Sequence, residues 1–149
     1  VRSMGRQAMG VRGMKLDKGD MVMGMESVDK DASPDLLTVC ENGYGKRTEL
    51  EEYREQHRGG SGIITIKTTE RNGSVVNVMQ VADDHDLMVI TDNGKILRVP
   101  VSGFSVIGRN TQGVTLMNTE ANEKVVAVAK LAEKEEDDDT EEIEEGDQI

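Results

Sequence analysis

Eleven cationic residues lie in four stretches that contain no acidic side chain. They are Arg2, Arg6, Arg12 and Lys15 in 1–16, Lys46 and Arg47 in 42–48, Arg58 and Lys67 in 56–69, and Lys95, Arg98 and Arg109 in 93–119. The rest of the first 132 residues holds 18 acidic residues and only six basic ones. Cations set beside glycine, with no carboxylate near in sequence, suit the binding of phosphodiesters. The charge neutralises the phosphate, and small residues let it approach main-chain N–H groups. For any single Arg, an ordinary solvated charge is the simpler reading. It is the coincidence of the pattern with an internal repeat that favours a phosphate track.

The repeat is direct. Segment 35–53 aligns without gaps on segment 86–104 at an offset of 51 residues: Asp35 on Asp86, Asn42-Gly43 on Asn93-Gly94, Tyr53 on Phe104. A second marker recurs in the same phase, in Gly5-Arg6-Gln7-Ala8-Met9-Gly10-Val11, in His57-Arg58-Gly59-Gly60-Ser61-Gly62-Ile63 and in Gly108-Arg109-Asn110-Thr111-Gln112-Gly113-Val114. In each, Gly follows Arg after four residues, and a β-branched residue follows Gly. The Arg positions are 52 and 51 apart.

Periodicity is β throughout. Asn-Gly between apolar runs predicts hairpins closed by type I′ turns. Strands are expected at 21–25, 36–40, 44–48, 63–68, 75–81, 87–91, 96–99, 114–117 and 125–131. Segment 49–56 has room for one helical turn, whereas the aligned 99–102 reads as strand. Roughly four strands per unit of about 50 residues is the size of a propeller-type blade. The expected class is therefore all-β, with propeller-like blades of about four antiparallel strands. The units run 1–52 (incomplete at its start), 53–103 and 104–132, the last completed by strands from elsewhere in a ring. Three blades are few for a closed ring, which suggests part of a longer array.

Equivalent positions on successive blades fall on equivalent edges, so the eleven cations are expected along one rim. Aromatic residues make up only 2% of the chain, which disfavours stacking on single-stranded bases. No recognition helix is visible. Backbone contact along a curved surface favours bent duplex DNA. The net charge of −11 looks adverse, but residues 133–149 carry 11 acidic residues and one Lys, which leaves the body near neutrality. That tail is expected to be disordered and to compete with DNA for the rim.

Other residues are weaker candidates. Cys40, the single cysteine, sits in an apolar run and reads as a small core residue. Asp83-Asp84-His85-Asp86 reads as a solvated turn rather than a metal cluster, and the nine Met residues as core filler. With no signal peptide and no long apolar span, a cytoplasmic location is expected.

These segments resemble the DNA gyrase A C-terminal domain family, part of the type IIA topoisomerases. The likeness covers residues 1 to about 132. It rests on Met4-Gly5-Arg6, Gly10-Val11-Arg12-Gly13, Asn42-Gly43-Tyr44-Gly45-Lys46-Arg47-Thr48, Thr69-Glu70-Arg71-Asn72-Gly73 and the 108–114 marker. The resemblance implies a six-bladed β-pinwheel that wraps duplex DNA on a basic outer rim, with this chain as the last three blades. The family's defining box, Gln-Arg-Arg-Gly-Gly-Lys-Gly, is matched at five of seven positions by Gln56-His57-Arg58-Gly59-Gly60-Ser61-Gly62, which departs at His57 and Ser61 and reads as a degenerate later copy. The resemblance further implies a non-catalytic segment of an ATP-dependent holoenzyme that introduces negative supercoils. Its partners would be the rest of gyrase A and the second polypeptide, gyrase B, in a heterotetramer near the nucleoid. ATP and Mg would be used on other domains, with no cofactor here. Tyr44 and Tyr53 are assigned packing roles. The corresponding domain of topoisomerase IV and a protein-recognition propeller are the alternatives.

Overall fold

The computed structural model describes residues 2–29 and 34–131, so the acidic tail expected at 133–149 lies outside the described residues. Seven strands form: β1 (Asp35–Cys40), β2 (Tyr44–Glu49), β3 (Val75–Val81), β4 (Asp86–Thr91), β5 (Ile96–Pro100), β6 (Val114–Thr115) and β7 (Val125–Leu131). They build one sheet in the order β3-β1-β2-β6 and a second in the order β5-β4-β7, and every ladder is antiparallel. The two sheets are successive copies of one motif. Asp35 pairs with Val81 in the first, and Asp86 with Leu131 in the second. The first sheet takes strands from 35–49, 75–81 and 114–115, so distant parts of the sequence interlock within it.

One apolar core joins the sheets. Leu37 and Val39 of β1, Val81 of β3, Leu87 and Val89 of β4, Val101, and Val125 of β7 are all essentially inaccessible. Val and Leu fill most of this thin layer; of the nine Met expected as core filler, Met79 and Met117 join it, whereas Met4, Met9, Met14, Met21, Met23 and Met25 are exposed.

The hairpin turns differ from expectation. Gly43 N–H donates to the Cys40 carbonyl and Gly94 N–H to that of Thr91, at 3.2 and 3.0 Å. Gly43 and Gly94 have φ of 78° and 79°, while neither preceding Asn has positive φ. A type I′ turn needs positive φ at both central residues. These are three-residue loops that end on a left-handed glycine. Gly43 is further fixed by crowding, since a Cβ there would lie 2.2 Å from the Met117 carbonyl oxygen.

Two expected strands, 21–25 and 63–68, are irregular. Both are β-branched or Met-rich, but a strand exists only when a ladder satisfies it, and the second bends at Thr65-Ile66. By the repeat, 63–64 corresponds to β6, whose partner is β2. The corresponding partner for 63–64 is not among the described residues. The expectation of strand at 99–102 holds for Val99 and Pro100 and fails beyond them. Val101–Gly103 is a 3-10 turn, the counterpart of the turn at Leu50–Glu52, so the repeat holds where local propensity misled.

Each hairpin is braced by the same ion pair. Arg47 Nε donates to Asp35 Oδ2 at 2.9 Å, and Arg98 Nε to Asp86 Oδ2 at 2.8 Å. A second guanidinium nitrogen approaches the same oxygen at 2.6 and 2.7 Å respectively. Arg47 is buried and also bonds Asp83 and the carbonyls of Val101 and Phe104. The Arg98 side chain is 56% exposed. Removing one partner of a buried pair strands a charge, whereas a solvated pair contributes little. Asp35→Ala is therefore expected to destabilise the chain by about 3 kcal/mol and Asp86→Ala by under about 1 kcal/mol. Urea denaturation of the two variants checks this, and equal losses would contradict it.

Candidate nucleic-acid interface

The eleven cations separate into two groups. Those on or next to strands meet acids and carbonyls of the protein itself. Lys46 is fully buried. Its ammonium donates to the Gly108 carbonyl at 2.8 Å, to the Arg109 carbonyl, and to Thr111 Oγ1 at 3.4 Å. Arg47 is enclosed in the network described above. Lys95 bonds Glu123 at 2.8 Å, and Arg98 bonds Asp86. The expectation that all eleven cations share an exposed rim is thus corrected for Lys46 and Arg47, which are interior. Lys95 and Arg98 reach solvent with a carboxylate already in contact. A stretch free of acids in sequence is not free of them in space, because β-pairing brings carboxylates from other stretches.

Glu123, the partner of Lys95, belongs to a local device that repeats. Glu123 accepts the Glu120 N–H at 2.8 Å, as Asn72 accepts the Thr69 N–H at 2.7 Å one unit earlier. Both side chains are buried. The bond from Lys95, joined by those from Glu120 N–H and Thr91, holds the Glu123 carboxyl down at about 2.

The second group lies on the irregular segments between strands. Arg2, Arg6, Arg12, Lys15, Arg58 and Lys67 are exposed. Backbone hydrogen bonds related by the repeat join their segments. Lys15 N–H donates to the Gly60 carbonyl at 2.8 Å, and Lys67 N–H donates to the Thr111 carbonyl at 2.8 Å. Gly59 N–H returns a bond to the Gly13 carbonyl, also at 2.8 Å. Each marker is therefore stitched to the segment that follows the preceding marker. Arg12, Lys15 and Arg58 share one junction, and Lys67 sits beside Arg109 and Thr111 at the next. The 108–113 segment runs directly into β6, the edge strand of its sheet, so that junction lies at the sheet's margin.

Arg109 belongs to this path but is half-buried. Its Nη1 donates to the Ile64 carbonyl at 3.0 Å, and its guanidinium lies 5.9 Å from the Tyr53 ring centre. Tyr53 in turn hydrogen-bonds Thr65. Arg109 works chiefly as a tie between markers. Tyr44 lies under the guanidinium of Arg71 at 4.8 Å, an exposed cation that the charge pattern missed because Glu70 precedes it. Cys40 is buried, and burial pushes its thiol up to about 11, with Glu41 adding to the rise. Of the Asp83–Asp86 cluster, Asp83 pairs with Arg47, Asp86 pairs with Arg98, and His85 Nδ1 accepts the Ala82 N–H.

The sequence did carry a sign of the Lys46 interior. At the aligned position the next unit has Leu97, and a position that alternates between Lys and Leu is one where the Lys stem can be buried. Burial, aided by the nearby Arg109 charge, pushes the Lys46 ammonium down from 10.5 to about 8. Between those values the unfolded chain holds a proton that the folded chain has released. This group's contribution to stability therefore rises with pH across that window. Titration of the Lys46 side-chain nitrogen by NMR is expected to give a midpoint near 8. An ordinary solvated-lysine midpoint would contradict the burial.

Comparison with known proteins bears on the whole path. The family described as DNA gyrase C-terminal domain, beta-propeller, matches residues 1–29, 34–82 and 85–132. The gyrase A protein of Salmonella typhimurium is 48% identical over 96% of this chain, and that of Escherichia coli K12 is 45% identical over 96%. The gyrase A protein of Haloquadratum walsbyi is 48% identical over 86%. The chain spans 15–16% of the length of these relatives. A solved DNA gyrase A C-terminal domain superposes with a TM-score of 0.77 at 34% identity, covering 87% of this chain and 44% of the other. The C-terminal domain of DNA topoisomerase IV superposes at 0.74 with 20% identity, covering 81% of this chain and 38% of the other, a likeness of fold alone. The architecture is the all-β, pinwheel-type arrangement of such domains, and the chain belongs to the DNA gyrase C-terminal domain family.

Proposed function

We propose that this chain binds duplex DNA along the path of marker segments, as the DNA-holding part of a gyrase A protein. The observation that carries the reading is the pair of repeat-related hydrogen bonds, Lys15 to Gly60 and Lys67 to Thr111. They bring segments that carry exposed cations of successive units next to one another, which supports a shared path for a polyanion. Phosphate contact requires exposed cations at intervals along a surface, with small residues between them, and these segments supply both. No α-helix that could enter a groove is present among the described residues, which suits contact with the DNA backbone and bending.

Within the complete gyrase A protein, the segment wraps duplex DNA and presents it to the catalytic domains. The ATP-dependent introduction of negative supercoils follows from chemistry performed elsewhere, on gyrase A and its partner gyrase B. Here the chain acts by binding, without a cofactor of its own, in the cytoplasm where the nucleoid lies. Arg12, Lys15, Arg58 and Lys67 are the contacts we assign to phosphate, with Arg2 and Arg6 continuing the path. Lys46, Arg47, Lys95, Arg98 and Arg109 build and join the units.

Duplex affinity is expected to fall steeply with salt. Changing Arg12, Lys15, Arg58 and Lys67 together to Ala should flatten the slope of log K against log[salt] by about 3 to 4, since each phosphate contact contributes about 0.9. Changing Lys95 and Arg98 together should leave that slope within error. A slope unmoved by the fourfold change would overturn the assignment.

A further inference from the structure

The Gly108–Asn110 turn has an orientation that its hydrogen bonds dictate. Lys46, buried beneath it, takes the carbonyl oxygens of both Gly108 and Arg109. No peptide bond among the described residues is cis. In a trans planar peptide the C=O and the N–H point in opposite directions. The carbonyl of Gly108 shares its peptide unit with the N–H of Arg109, and that of Arg109 with the N–H of Asn110. With both carbonyls drawn inward to Lys46, both N–H groups face away from it, on the surface side.

Neither N–H has an acceptor among the described residues. Unpaired N–H groups are costly when buried but become donors where a ligand can reach them. Gly108 and Asn110 are exposed and Arg109 is half-buried, so solvent reaches the turn, with the Glu52 carboxylate 4.0 Å from the Cβ position of Gly108. A side chain and a carbonyl of β2 hold the start of the turn. Thr48 Oγ1 donates to the Ile107 carbonyl at 2.8 Å, and Ile107 N–H donates to the Arg47 carbonyl at 2.9 Å. Thr111 Oγ1 closes it by donating to the Gly108 carbonyl at 3.2 Å.

We propose that the Arg109 and Asn110 amides form a phosphate-binding turn, with the Lys46 ammonium behind it as the source of positive potential. The ammonium binds the carbonyl end of each peptide dipole and so strengthens the N–H end as a donor, because hydrogen bonds in series polarise one another. Lys46 is a positioning residue here and never touches the ligand. The ligand is a phosphodiester oxygen of duplex DNA. The inference rests on the duplex-binding reading and adds a contact made by backbone rather than by a cationic side chain. It also distinguishes the units, because the aligned position of the following hairpin is Leu97, which has no charge to place behind a turn.

Amide NMR on the chain tests it. A short duplex is expected to shift the Arg109 and Asn110 N–H resonances downfield, together with those near Lys15 and Arg58. Inorganic phosphate at the same phosphate concentration should leave all of them in place. Where Lys46→Met keeps the sheet signals, it should abolish the Arg109 and Asn110 shifts, spare those near Arg58, and weaken duplex binding about tenfold. If the wild-type Arg109 and Asn110 amides stay silent while those near Lys15 and Arg58 respond, the phosphate turn is overturned and the marker path stands. If none responds, the duplex-binding reading falls first. An equal response to inorganic phosphate would make this a site for a free anion and would overturn its assignment to duplex. The wild-type spectra decide the matter even if Lys46→Met fails to fold.

Discussion

Two neighbouring cations buried on opposite faces of one short strand hold this structure together. Successive residues of a strand point to opposite sides, so Lys46 and Arg47 of β2 face different surroundings. Lys46 grips the carbonyls of the 108–111 turn, while Arg47 grips Asp35, Asp83 and two carbonyls near the second 3-10 turn. Removing an ion from water costs several kcal/mol unless partners replace the solvent. Both faces of β2 must therefore be closed by chain some 36 to 65 residues away in sequence. The units interlock instead of standing side by side, and the sheet around β2 has strands from three parts of the repeat.

That constraint also divides the labour among cations. Charges on strands are consumed in holding the units. On the irregular marker segments, which exchange backbone hydrogen bonds with one another, Arg2, Arg6, Arg12, Lys15, Arg58 and Lys67 stay exposed while Arg109 is drawn partly inward. The Lys15–Gly60 and Lys67–Thr111 bonds are the seams. Glycines at the seams keep the backbone reachable.

Much of this was legible in the sequence. The 51-residue offset located both hairpins, and the marker spacing anticipated the repeated seam. The Asp35–Arg47 and Asp86–Arg98 pairs were present as an unchanged twelve-residue interval in both copies. What could not be read was pairing at a distance. Lys46 and Arg47 looked like rim charges because Asp35, Asp83 and the 108–111 carbonyls lie elsewhere in the chain. Segments 21–25 and 63–68 looked like strands because propensity is local and a ladder partner is not. Arg71 was passed over because an acid precedes it, although its guanidinium stacks on Tyr44 in the open.

We propose that the marker segments, and not the strand cations or the inner strands, meet DNA. Lysine acetylation with and without bound duplex, read by mass spectrometry, tests it residue by residue. Lys15 and Lys67 should be protected by duplex, while Lys130 on β7 reacts at an unchanged rate. Unchanged reactivity of Lys15 and Lys67 under saturating duplex, or protection confined to Lys130, would contradict it.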